Sequence, residues 1–349
     1  MNSLRLWLLA LVSLLSSACM GVGPELALRS QDVPRLGVPK RATEPEAPPA
    51  APPERCVVPE KEKNPAGLYS ADAWPRGRVV LTFDDGPHPG KTPRVLDLLR
   101  KHGFSATFFL VGHAIRRDTY RLVQRMVDEG HALGSHSYNH DVKMSVRNHG
   151  ERSIGYIQGQ HETTRILIEL ALVARSDEDF DSLFEAVFQE KSGTYLSAGS
   201  LRTEWQARRG RFESLLEQRG QAAGAPVYPL VYSRPPAGTP YLGLSTRDQK
   251  ALYDGALARL ELLNVMWHGE SGDTNPTRKH ELAFLTGNLA HYAKKGGVIL
   301  IHDYVRTDAL AIALDAMAKD PNVEVEPVDA AVRRKYGCAP LALARGRAN

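Results

Sequence analysis

The 349 residues are 24% charged and 42% hydrophobic, the composition of a soluble globular protein with length enough for a sizeable core. A formal net charge of +4, with no concentrated Lys/Arg run, argues against a nucleic-acid groove.

The chain opens with one early positive charge at Arg5. An apolar run from Leu6 to Leu15 follows, broken only by Ser13, then the small residues Ser16, Ser17 and Ala18. This order predicts a secretory signal peptide over 1–18; the run is too short to span a bilayer. Cys19 at its end resembles the acylated cysteine of bacterial lipoproteins, although Ser16 stands where a large aliphatic residue is usual. Lipidation at Cys19 leads to an exported protein held in the cell envelope, in the periplasm or on the outer surface. Cleavage after Ala18 leads to a secreted one. Seven prolines between Pro34 and Pro53, with no hydrophobic periodicity, read as a disordered Pro/Ala-rich linker over 19–55. With Cys19 set aside, Cys56 and Cys338 remain as an even pair flanking a domain expected over 56–340, and an oxidising compartment would allow them to join.

From Arg78 the pattern alternates. Arg78–Asp84 reads as a strand and 91–102 as a helix with Val95, Leu98 and Leu99 on one face. Ser105–Val111 reads as a strand, 116–129 as a helix ended by Gly130, and Ala132–Ser135 as a strand. Residues 145–225 break the rhythm with helical patterns alone, such as Phe180, Leu183, Phe184, Val187 and Phe188, and read as a helical insertion. Strand patterns resume at 227–233, 262–267, 298–301 and 323–328. The grammar predicts an α/β fold, a distorted (β/α) barrel of about seven strands.

In such barrels the loops at the C-terminal strand ends carry the chemistry. The first strand ends in Thr82-Phe83-Asp84-Asp85-Gly86-Pro87. Adjacent carboxylates there are costly unless a cation or a proton relay holds them. The third ends in His136-Ser137-Tyr138-Asn139-His140, a histidine pair at a spacing suited to a divalent metal. With Asp85 the set offers three protein ligands and open positions, the pattern of a catalytic metal site. Later strands end in Arg234-Pro235-Pro236-Ala237-Gly238, in Trp267-His268-Gly269-Glu270-Ser271-Gly272-Asp273 and in Leu300-Ile301-His302-Asp303. A buried Arg can orient a base, and a strand-end His near a metal is a candidate general acid.

These five ordered blocks resemble the polysaccharide deacetylase family, the family-four carbohydrate esterases or nodulation-type deacetylase homology domain. The resemblance implies that Asp84 is the general base and that Asp85, His136 and His140 hold a divalent metal. Zinc is the expected ion, with cobalt, nickel or manganese as alternatives. It further implies that Arg234 braces Asp84, that Asp273 tunes His302, and that His302 is the general acid. Leu300 would line the acetyl-methyl pocket, and a backbone N–H near Ala237 would hold the developing oxyanion. Tyr241 and Trp267 are further candidates for substrate contact. Ala237 stands where the family usually has an aromatic, Thr274 where it has a Trp, and Glu270 where an Asp is common. The 94 positions from His140 to Arg234 exceed the family's usual connection. The expected reaction is removal of N-acetyl groups from an N-acetylhexosamine polymer by a monomer whose partner is the polysaccharide. Two other readings stand beside it: O-acetyl esterase action on xylan or another acetylated glycan, and a non-catalytic envelope glycan-binding protein.

Overall fold

The computed structural model describes residues 55–58, 67–146, 151–222, 224 and 226–346. They lie in one unit, Pro52–Asn349. The expected signal peptide, Cys19 and nearly all of the linker fall outside the described residues.

In chain order the elements are β1 (Gly67–Leu68), β2 (Arg78–Asp84), α1 (Thr92–His102), β3 (Thr107–Leu110), α2 (Tyr120–Asp128) and β4 (Ala132–Ser135). Four helices follow: α3 (Glu151–Val173), α4 (Asp177–Phe188), α5 (Ala198–Thr203) and α6 (Trp205–Gln218). The alternation resumes with β5 (Tyr232–Ser233), α7 (Arg247–Arg259), β6 (Leu263–Val265), β7 (Gly269–Glu270), α8 (Leu282–Lys295) and β8 (Gly297–His302). It ends with α9 (Thr307–Lys319), β9 (Glu324–Val325), α10 (Val328–Tyr336) and α11 (Pro340–Arg345). Every strand pairing is parallel, in the order β1-β6-β5-β4-β3-β2-β8-β7, with β9 on the start of β2. The sheet curls into a distorted (β/α) barrel with its seam between β1 and β7. The chain crosses that seam after β6: Met266 N–H donates to Leu68 O on one side and His268 N–H to Val298 O on the other.

All seven strands expected from the sequence are present, several of them shorter. Pro229 has no N–H for a ladder, and of the strand expected over 227–233 only Tyr232–Ser233 (β5) pairs. Pro327 ends the last one, at the entry to α10. The two-residue strands β1 and β7 carry no readable pattern. The second helix starts four residues later than expected, because Thr119 Oγ accepts from Arg116 N–H and donates to Ala114 O, closing a turn there.

Strand periodicity divides the core in two. Val79, Leu81, Phe83, Phe108, Leu110, Ile299 and Ile301 face the helices. Val80, Phe109, Val265 and Val298 face inward, with Leu68 and Val332. Helix α1 shows the outer layer's logic. A proline sits in its first turn, Gly103 caps it at φ 65°, and Val95, Leu96 and Leu99 are buried with Leu98 packed beside them. Each such side chain contributes on the order of 1.5–3 kcal/mol by burial. The inward parity of β2, β4, β5 and β8 runs on to Asp84, His136, Arg234 and His302. The rule that fills the barrel with apolar side chains thus sets polar ones at its C-terminal mouth.

Helix α3 is buried on nearly all sides. It packs against α2 and α7, and α4, α5 and α6 lie against it. It is therefore one of the barrel's own layer of helices.

Candidate metal and acid–base site

Asp84 and His302 are register partners on the neighbouring strands β2 and β8, and β4 delivers His136 and His140 from the next loop but one. Asp85, at φ 74°, turns its carboxylate toward those histidines. Its Oδ1 lies 3.6 Å from His136 Nε2 and 3.3 Å from His140 Nε2. One ligand atom from each of the three residues lies within 4.8 Å of the other two.

The surroundings fit a cation there. Asp85 Oδ1 is buried with no hydrogen-bond partner, a costly state for a carboxylate oxygen unless something positive meets it. His136 Nδ1 lies 2.8 Å from Arg234 O. A carbonyl only accepts, so Nδ1 carries the proton and Nε2 offers its lone pair toward Asp85, the usual arrangement around a metal-ligating imidazole. Burial pushes the His136 imidazole down to about 3, which keeps it neutral as a ligand must be.

On one flank Asp84 is buried against Arg234, itself fully buried. Arg234 Nη1 donates to Asp84 Oδ1 at 2.8 Å and to Thr82 Oγ at 2.8 Å, while Nε donates to Val265 O at 2.7 Å. The guanidinium lies over the Phe109 ring, 4.2 Å from its centroid, and 5.5 Å from that of Trp267. A planar guanidinium held at Nε and Nη1 and stacked on an aromatic face has a fixed orientation, which an ammonium would not reproduce. Burial raises the Asp84 carboxyl above its ordinary value, against the lowering pull of Arg234 and His302.

On the other flank Asp273 accepts twice from His302. Nδ1–H donates to Oδ1 at 2.9 Å and the backbone N–H to Oδ2 at 2.8 Å. Burial opposes the imidazolium, but the bond and charge of Asp273 outweigh it, aided by Asp84 and Asp85. The group is raised to about 9.

Leu300 lies buried on β8, with its parity toward the barrel interior. Trp267 is half-buried beside Arg234. Ala237 is exposed on the Pro236–Gly238 turn at φ 53°. Tyr241 points its hydroxyl away from solvent, donating to Asp254 Oδ1 at 2.5 Å, with its ring against Tyr69 and Tyr253. Cys56 and Cys338 are joined by a disulfide, 282 positions apart.

Sequence reasoning gave no role to two neighbours of the site, Asp303 and Tyr304. Asp303 is buried, accepts from Thr92 Oγ and is pushed up to about 7, chiefly by burial. It packs on Gly86, where a Cβ would lie 2.5 Å from its Oδ2. Tyr304, partly exposed, stacks on His302 at 4.9 Å and 16°. Their only signal in the sequence was adjacency to His302.

Residues 72–159 match a family model described as polysaccharide deacetylase. Over that stretch the chain is similar to polysaccharide deacetylases. The matched stretch holds Asp84, Asp85, His136 and His140, whereas Arg234, Asp273 and His302 lie beyond it. A peptidoglycan-N-acetylglucosamine deacetylase of Bacillus cereus is 43% identical over 81 residues, 23% of this chain and 38% of the relative. A peptidoglycan-N-acetylmuramic acid deacetylase of Bacillus subtilis is 50% identical over 62 residues, 18% of this chain and 23% of the relative. A chitooligosaccharide deacetylase of Sinorhizobium fredii is 46% identical over 77 residues, 22% and 35% of the two chains. The chain thus spans less than two-fifths of the length of these curated relatives. Among solved structures, a Streptococcus mutans CE4 esterase aligns over 72% of this chain and 86% of its own, with TM-score 0.48 and 24% identity. A family 4 carbohydrate esterase from Streptomyces lividans aligns over 76% and 98%, with TM-score 0.46 and 22% identity.

Proposed function

We propose that this chain is a metal-dependent hydrolase that removes N-acetyl groups from an N-acetylhexosamine polymer such as peptidoglycan or a chitin-like glycan. The observation that carries the reading is one carboxylate and two imidazoles sharing a centre, flanked by a buried Asp–Arg pair and a buried Asp–His pair. The names of the relatives support the substrate class.

Asp85, His136 and His140 hold the ion, and when bound it polarises the acetyl carbonyl and lowers the pKa of water. Asp84, oriented by Arg234, takes a proton from the attacking water. The negative charge that collects on the former carbonyl oxygen needs donors that are already in place. The backbone around Ala237 is the candidate, at the C-terminal end of β5. His302 enters the reaction protonated, because Asp273 holds it so, and gives its proton to the leaving amine nitrogen. Acetate and a free amino sugar result. Leu300 offers an apolar wall for the acetyl methyl.

The loops around the site suit a sugar chain. Of the eight large hydrophobic residues exposed among the described residues, Val142, Leu242, Leu244 and Tyr304 sit on loops that follow β4, β5 and β8. Tyr195 joins them, edge-on to His113 and tilted against Tyr138. Export by the signal segment and anchoring through Cys19 place the enzyme beside an envelope glycan. No helix among the described residues is long and apolar enough to cross a membrane.

The test is acetate release, with mass analysis of products, from peptidoglycan, chitin oligomers and acetylated xylan, before and after chelation. We expect loss of acetyl groups from an N-acetylated polymer, abolished by chelator and restored by zinc or cobalt. Release from xylan alone would make the chain an O-acetyl esterase. Stoichiometric metal with no acetate from any polymer would favour a glycan-binding protein.

A further inference from the structure

The loop that carries His136 and His140 has no regular structure and two non-glycine residues in the left-handed region, Ser137 at φ 68° and His140 at φ 55°. Such backbone persists only where its surroundings over-determine it. Most of its polar backbone can be accounted for. Ser137 O and Tyr138 O accept from Gly112 N–H and His113 N–H, in the turn after β3. His140 N–H donates to Ser137 Oγ at 3.0 Å. The two amides at the loop's apex, Tyr138 N–H and Asn139 N–H, donate to a single atom, Gln160 Oε1 of α3, at 2.8 and 3.2 Å.

Gln160 is fully buried, and its other end is bound as well. Nε2 donates to Asn139 Oδ1 at 2.7 Å and to Tyr156 Oη at 2.8 Å, while Tyr156 Oη donates to Asp141 Oδ2 at 3.0 Å. One turn of α3 thus grips the loop at 138, 139 and 141, on both sides of His140. Its neighbour His161 adds a contact to Ser135 Oγ at 2.9 Å and is itself braced by Tyr253 Oη.

We infer that Gln160 is a positioning residue for the metal site: it holds the 136–140 loop in the conformation that turns both imidazoles toward Asp85. The inference rests on the metal reading proposed above. A side chain that only filled space at this position would not need four polar partners, and Met would replace it at similar volume. A side chain that sets ligand geometry cannot be so replaced.

The experiment is titration of metal-stripped full chain with Co2+, following heat and the visible spectrum of the bound ion, for wild type, Gln160→Met and Gln160→Glu. Wild type should bind one equivalent. Gln160→Met should weaken binding about 10–100-fold, the range seen when hydrogen-bonded support behind a metal site is lost, and alter the spectrum. Gln160→Glu keeps the acceptor for both amides and should retain more affinity than Gln160→Met. Wild-type affinity and spectrum in Gln160→Met would overturn the inference, whereas no uptake by wild type would instead remove the metal reading beneath it. If Gln160→Met shows no cooperative melt, Tyr156→Phe decides. It frees one arm of Gln160, and unchanged Co2+ affinity and spectrum in that variant would likewise overturn the inference.

Discussion

Asp84 and Asp85 are adjacent in the chain and placed in opposite circumstances. Asp84 lies at the barrel mouth with an arginine on one oxygen. Asp85 swings into the left-handed region and leaves an oxygen bare beside two imidazoles. The proposed division of labour predicts different losses. Asp84→Asn keeps an acceptor for Arg234 but cannot take a proton, so acetate release should fall by about 10²–10⁴-fold with metal content unchanged. Asp85→Asn should lose the metal itself, read by elemental analysis. The pH profile tests His302. Its folded value of about 9 lies above the ordinary 6.5, so the acid form is present through neutral pH and lost above about 9. The same shift stabilises the fold fully below about 6.5, a contribution that disappears as pH rises through about 9. Activity should therefore fall on the alkaline side near 9, and Asp273→Asn should move that limb toward neutral pH. An unmoved limb would mean that another group supplies the proton.

The helices between β4 and β5 show how glycine can serve two ends. Gly159 in α3 faces α5 so closely that a Cβ would lie 1.7 Å from Leu201 O. Gly210 in α6 has no atom within 4 Å of the same position. Alanine is the better helix former by about 1 kcal/mol, so Gly210→Ala should stabilise by roughly that amount. Gly159→Ala forces two helices apart and should cost about 1–3 kcal/mol, the usual range for overpacking. Chemical denaturation of both variants checks the pair. The helical character of the stretch that forms α3 to α6 was readable from apolar spacing. That α3 belongs to the barrel layer and reaches the histidine loop through Gln160 was not. Gln160 is one polar residue in a helix with polar and apolar side chains on every face, and no spacing rule separates a buried amide that grips a loop from a solvated one.

Across the whole molecule the ends of the domain are tied together. The Cys56–Cys338 bond closes 282 positions, and Lys335 and Tyr336 of α10 bond back to Gly67 O. Cross-linking over so long a span restricts the unfolded chain, so replacing both cysteines by serine should lower stability by about 2–5 kcal/mol. The site lies at the far ends of β2, β4, β5 and β8, so acetate release below the melting temperature should be retained. A variant that folds as stably as the parent would show that the bond constrains little.

The amino-acid sequence alone determined the local chemistry: the strand that ends in Asp84-Asp85, the histidine pair four residues apart, and the alternation that makes a barrel. It could do so because ladder parity and ligand spacing are short-range properties, readable within a few residues. Tertiary structure decided what lies far apart in the chain. It set Arg234 against Asp84 and Asp273 against His302, turned the Tyr241 hydroxyl to Asp254 and away from solvent, and brought α3 under the histidine loop. Those contacts depend on how the sheet curls and which helix packs where; the resemblance of the five blocks implied the pairs at Asp84 and His302, but no spacing within a few residues encodes any of them.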